Sequence, residues 1–125
     1  MISFNFPVDP VAKGRPRFSK GRAYTPQKTR DFEKLINTMA KIQYRGEPLK
    51  GPLSVVIVFF IKKPRSVKRE YPIVRPDIDN FFKSALDSLN GVAFDDDCQV
   101  IEINASKKYN DFGGIFIDIK PYLHS

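Results

Sequence analysis

LSVVIVFFIK, residues 53–62, is apolar at every position but Ser54 and Lys62, and it is rich in β-branched and aromatic side chains. That composition predicts a strand, and a nearly unbroken apolar run predicts one interior to a sheet. Working outward, Gly46, Pro48, Gly51 and Pro52 break the chain just before it. Upstream of that break, TPQKTRDFEKLINTMAKIQY (25–44) predicts a helix. Thr25 is its expected N-cap and Pro26 suits its first position, with Phe32, Leu35, Ile36, Met39, Ala40 and Ile42 as the apolar stripe. ISFNF (2–6) alternates as a short strand does, and residues 7–24 read as a loop rich in Pro, Gly and cations.

Downstream, KPRSVKREYPIVRP (63–76) has no period and three prolines. It is a loop of the length that often serves function. A second helix is expected over 77–90, with Ile78, Phe82, Ala85, Leu86 and Leu89 on one face and Asn90-Gly91 closing it. Two strands then follow, QVIEINASKKY (99–109) and GGIFIDIK (113–120). The turn NDFGG between them predicts a hairpin. The order is β-α-β-α-β-β. It implies one α+β domain over residues 1–125, a small mixed sheet with helices packed on it, a size that 125 residues suit.

The net charge is +7 and the pI about 9.6, which favours a polyanionic partner, nucleic acid before membrane. No basic amphipathic helix with a broad apolar face and no span of about 18 apolar residues is present, so no membrane partner is expected. The start, MISFNFPVDP, lacks the pattern of a signal peptide. A single cysteine, Cys98, cannot staple the fold, and a cytoplasmic location is expected. Charge is segregated along the chain. Residues 10–30 hold Lys13, Arg15, Arg17, Lys20, Arg22, Lys28 and Arg30 with no acid, and residues 62–75 hold six cations against Glu70 alone. Half of the fourteen acids fall between Asp77 and Glu102.

With His124 as the only histidine, a histidine-based triad or a zinc site is excluded, and neither a G-x-G-x-x-G nor a Walker loop occurs. No small-molecule substrate is indicated. Carboxylates, lysines and arginines remain, and these act on phosphodiesters when a divalent ion activates water. Asp77 and Asp79 open the second helix; they either complement its N-terminus or hold an ion. The run Asp95–Asp97 is either a solvated turn or the second half of the same site. Mg²⁺ or Mn²⁺ would relieve the repulsion among these oxygens. Lys83 sits four residues from both Asp79 and Asp87, either in an exposed ion-pair ladder or facing a phosphate. Phe81 falls off the main stripe, as core, as a dimer contact or as a wedge between bases. In KGRPRFSKGRAY (13–24) the cations alternate with Phe18 and Tyr24, a pattern suited to phosphates and unpaired bases or simply to a solvated loop.

RPDIDNFFKSALDSLNGVAFDDDCQV (75–100) resembles the defining segment of the RusA family of Holliday-junction resolvases. The likeness lies in D-x-D-N-x-x-K at the helix start, the acid–Ser–Leu continuation at Asp87, and an acidic pair before x-Q-V. KGRPRF, the YTP after it and a KK before the last strand add to it. The resemblance implies a homodimeric, Mg²⁺-dependent endodeoxyribonuclease that makes paired symmetric nicks in four-way DNA during recombination and repair. It places catalytic roles on Asp77, Asp79, Lys83 and Asp97, and metal ligation on the three aspartates. This chain departs from the family in its run of three acids and a shorter interval from Asp79, so Asp96 could take the place of Asp97. Lys13, Arg15, Arg17, Lys20, Arg22, Lys68, Arg69 and Arg75 are the expected DNA contacts. The rival readings are a non-catalytic nucleic-acid-binding protein and a metal-dependent nuclease acting on flaps, single strands or RNA.

Overall fold

The computed structural model describes residues 1–14 and 17–123; Arg15, Pro16, His124, Ser125 and the side chain of Arg17 lie outside the described residues. In chain order the elements are β1 (Ile2–Phe6), β2 (Arg17–Ser19), β3 (Arg22–Tyr24), α1 (Gln27–Gln43), β4 (Leu53–Lys62), α2 (Ile78–Ser88), a 3-10 turn (Asp97–Gln99), β5 (Val100–Asn110) and β6 (Gly114–Pro121). This is the expected α+β order with a small hairpin added.

β4 lies inside a four-stranded mixed sheet ordered β1-β6-β4-β5. Its apolar run thus has a partner on each edge, parallel to β5 and antiparallel to β6. The expected β5–β6 hairpin does not form, because the two strands flank β4. Asn110 registers with Lys62 and Gly114 with Phe60, so residues 111–113 carry the chain across the end of β4. Two strand spacings are about 9.6 Å, within reach of four extended residue steps.

Leu53, Val55, Ile57 and Phe59 face the helices and are buried. They meet Phe4 and Phe6 of β1, Ile115, Ile117 and Ile119 of β6, and the helices through Phe32, Ile36, Ala85 and Leu89. Each such side chain stabilises the fold by about 1.5–3 kcal/mol. The other face of β4 carries Ser54, Val56, Val58 and Phe60, and there Val56 is 38% exposed. Continuous apolarity in β4 therefore reflects an interior position in the sheet more than burial on both faces.

α1 begins one residue later than expected. Pro26 is its N-cap and no side chain caps it, so Thr25 does not serve that role. Thr29, Phe32, Ile36 and Ala40 are its buried face, while Leu35 and Ile42 of the expected stripe are exposed. Spacings of three and four from Thr29 onward follow one side of the helix, and Leu35 and Ile42 lie off it. Phe81 is core: it is 4% exposed and stacks on Phe59 with ring centroids 5.2 Å apart. It is not a wedge available to bases.

Within the segment read as a loop, β2 and β3 pair through the two-residue turn Lys20-Gly21. Both turn residues have positive φ, 52° and 76°, the conformation a tight hairpin turn requires.

A candidate active site along the second helix

Asp77 is the N-cap of α2 and its side chain makes no capping hydrogen bond, leaving the carboxylate exposed for other work. Asp79 stands in the first turn and is exposed. Two groups fix the approach to this end of the helix. The Lys107 ammonium, on β5, donates to the Val74 and Pro76 carbonyls at 2.8 and 3.1 Å, so the strand holds the chain immediately before Asp77. From the other side, the Lys13 N–H donates to the Asn80 carbonyl at 2.8 Å, and the Ser84 hydroxyl donates to the Val11 carbonyl. The N-terminal segment is thereby laced across α2. Gly14 lets the same segment close on the start of α1, where a Cβ would lie 2.8 Å from the Pro26 ring.

The three acids at 95–97 have separate surroundings. Asp95 pairs with Lys50 at 2.6 Å in solvent. Asp96 caps the 3-10 turn by accepting the Cys98 N–H at 3.0 Å. That bond, with a contact to Asp97, holds the Asp96 carboxyl below its ordinary range. Asp97 is half-buried and turned toward Asp87. Desolvation, followed by the adjoining carboxyls of Asp87 and Asp96, pushes Asp97 up to about 6. Its N–H donates to Asn90 Oδ1 at 2.9 Å, which ties it to the end of α2.

Gln99 holds the whole turn. Its Oε1 accepts from the Asp95 and Asp96 N–H groups at 2.9 and 3.0 Å, and its Nε2 donates to the Leu49 and Gly51 carbonyls at 3.0 and 3.1 Å. Thus the loop after α2 does fold back, and it reaches the last turn of the helix at Asp87.

Lys13 belongs to the same cluster. Its ammonium bridges Glu33 of α1 at 3.1 Å and Asp87 of α2 at 3.0 Å. Burial works against the charge, but the hydrogen bonds and charges of Asp87 and Glu33 outweigh it and raise its pKa. Lys83 is exposed and, among the described residues, forms no salt bridge, so the ladder Asp79–Lys83–Asp87 is not made. The remaining expected DNA contacts are exposed: Lys20 and Arg22 on the hairpin, and Lys68, Arg69 and Arg75 in the 63–76 loop. Within that loop Arg69 Nε donates to the Tyr109 hydroxyl at 3.0 Å, and Arg69 and Lys63 both lie over the Tyr109 ring.

Asp87, Asn90, Gln99 and Lys107 are residues that sequence reasoning did not single out as functional. Gln99 and Lys107 lie in the x-Q-V and KK patterns, which signalled their importance without their bonding. The structure brings Asp97 to Asp87, with Asp96 beside Asp97, while Asp77 and Asp79 stand at the opposite end of an eleven-residue helix. Among the described residues, no three acidic, His or Cys side chains are gathered as a metal cage.

A helix lined with carboxylates and an exposed lysine, bordered by cation-rich segments, is the equipment of a nuclease. Residues 7–120 match the profile of the family described as Endodeoxyribonuclease RusA, and the chain belongs to that family. It is also 33% identical over 127 residues to the uncharacterized protein YqaN of Bacillus subtilis (strain 168), across 88% of this chain and 89% of that one. Membership supports DNA cleavage, with the resolution of branched junctions as the family's general activity. Nucleases of this type generally depend on a divalent metal.

Proposed function

We propose that this protein is a Mg²⁺-dependent resolvase that, as a homodimer, places paired symmetric nicks in four-way DNA junctions. The observation that carries the reading is the exposed pair Asp77 and Asp79 at the start of α2, the Asp77 carboxylate making no capping bond, with the exposed Lys83 one turn further along. The donor chemistry fits a hard cation, since every candidate ligand is a carboxylate and Asp97 is already crowded by like charge. Mg²⁺ is commonly held by one or two carboxylates together with substrate phosphate and water, so a closed protein cage is not required. Asp77 and Asp79 would hold it at the start of α2. The family likeness adds Asp97, which in this fold stands beside Asp87 about 12 Å along the helix. Asp97 would reach the same ion only by a movement of its loop, with Asp96 kept to its cap. When bound, the ion supplies Lewis acidity toward the phosphodiester and lowers the pKa of water.

The chain's own residues do the rest. Lys107 fixes the entry of Asp77 by gripping the two carbonyls before it. Lys83, unpaired among the described residues, offsets charge that develops on the phosphate in the transition state. Lys20 and Arg22 on the hairpin, with Lys68, Arg69 and Arg75, bind the arms through phosphates; Arg15 and Arg17 belong to the same basic stretch. The test is incubation of a four-way junction with the protein in EDTA and then with Mg²⁺ or Mn²⁺. Nicks at matching positions on two opposed strands, formed only with the cation, are expected. A junction left whole, or linear duplex cut equally well, overturns the reading.

A further inference from the structure

A cleft of about 810 Å³ opens beside the start of α2, between residues 9–14, the beginning of α1, the end of β4 and residues 74–76. Its size falls within the roughly 300–1,000 Å³ of pockets that enclose small organic ligands. Its walls are apolar: Val11, Ile61, Val74 and Pro76 contribute to them. Its charged lining is not balanced, since Lys28, Lys62 and Arg75 face Asp9 alone. The first turn of α1 borders the same space with no side-chain cap and no acid, so its field adds to that of the cations. Pro76, one wall, is the residue immediately before Asp77.

We infer that this cleft receives one unpaired nucleotide of the DNA strand, with the base against the apolar walls and its flanking phosphates on Lys28, Lys62 and Arg75. The inference rests on the junction-nuclease reading, because it places the captured nucleotide next to the strand that Asp77 would address. Apolar walls under a cationic rim match an amphipathic anion, a flat base joined to phosphate, and an acidic group alone would leave the walls wet. No hydrogen-bonding edge is needed for such capture, so it tolerates any base. A junction crossover supplies nucleotides that are cheap to unstack, which gives the cleft a part in choosing branched over linear DNA.

The probe is 2-aminopurine, set in turn at each position flanking the crossover of a four-way junction and titrated with the full chain in EDTA. Cleavage with Mg²⁺ is measured separately on the same junctions. At one position the fluorescence is expected to rise severalfold at saturation, as the base leaves the stack for aliphatic surroundings. Val74→Trp fills the cleft and is expected to lose that rise while a mobility shift still reports binding. Because Val74→Trp alters packing, Lys28→Ala combined with Lys62→Ala repeats the test at two exposed residues. That pair should move the rise to higher protein concentration and flatten its salt slope by up to about 2, at ~0.9 per phosphate. A signal that stays flat at every position while the junction is saturated and cut refutes the cleft and leaves the nuclease standing. A rise without any cleavage leaves the cleft standing and refutes the nuclease. A rise that neither set of substitutions changes also refutes the cleft.

Discussion

Asp96 accepts the Cys98 N–H as a cap, whereas Asp97, the next residue, is turned from solvent onto Asp87. Nothing in a run of three acids says which one turns inward. That choice is made by Asn90 and Gln99, which bind the turn's backbone from just past the end of α2 and from within the turn itself. The two residues therefore make opposite predictions. Asp97→Asn is expected to cut single-turnover cleavage by at least about 10²-fold, the scale of losing one preorganised electrostatic group. Asp96→Asn retains a capping oxygen and is expected to stay near the wild-type rate. The reverse ranking would move the third ligand to Asp96. Lys83 was legible as a polar-face residue but its partners were not, because Asp87 pairs with Lys13 from a distant segment instead. Lys83→Ala is expected to lower the rate by about 10²–10³ with binding little altered, since its charge is not committed to a structural pair. A rate within about threefold of wild type would make Lys83 a solvated surface residue instead.

Elements were more legible than their pairing. β4 announced itself through composition, and the α2 stripe from Ile78 to Leu89 followed helical spacing into the core. The partners of β5 and β6 did not, because a Gly-rich turn between two strands has the same sequence whether they pair or straddle a third. The β2–β3 hairpin has the sequence of a loop because its strands have only three residues each, too short to show alternation. Its formation sorts the basic stretch into different tasks. Lys20 and Arg22 are exposed on the hairpin, but Lys13 spends its charge on Glu33 and Asp87 and clasps α1 to α2. Replacing Lys20 and Arg22 together by Ala is expected to reduce the slope of log K against log salt by about 2, at ~0.9 per phosphate contact. Lys13→Met is expected to leave that slope alone and instead cost about 1–2 kcal/mol of stability in urea unfolding, through two lost charged hydrogen bonds. A slope that falls with Lys13→Met would mean that its ammonium leaves the carboxylates for DNA.

At the scale of the whole molecule, symmetric resolution asks for two active sites related by a two-fold axis, whereas one chain holds a single set of Asp77, Asp79, Lys83 and Asp97. An isologous pair of identical chains is the simplest assembly that supplies both. Its signature is kinetic. In a supercoiled plasmid that extrudes a cruciform, the first nick releases the supercoiling and the junction is reabsorbed. Linear product then forms only if the second nick falls before the complex and its junction are lost. A homodimer with two competent sites is therefore expected to yield linear plasmid as the main early product at limiting protein. Mixing wild type with Asp79→Asn chains should divert that product to nicked circles, because a mixed pair has one working site. Sedimentation on the junction should find two chains per junction in both cases. Nicked circles accumulating first with wild type alone, together with one chain per junction, would show that each chain cuts independently. The paired-nick mechanism would then fall, and a nuclease of branched DNA acting one strand at a time would take its place.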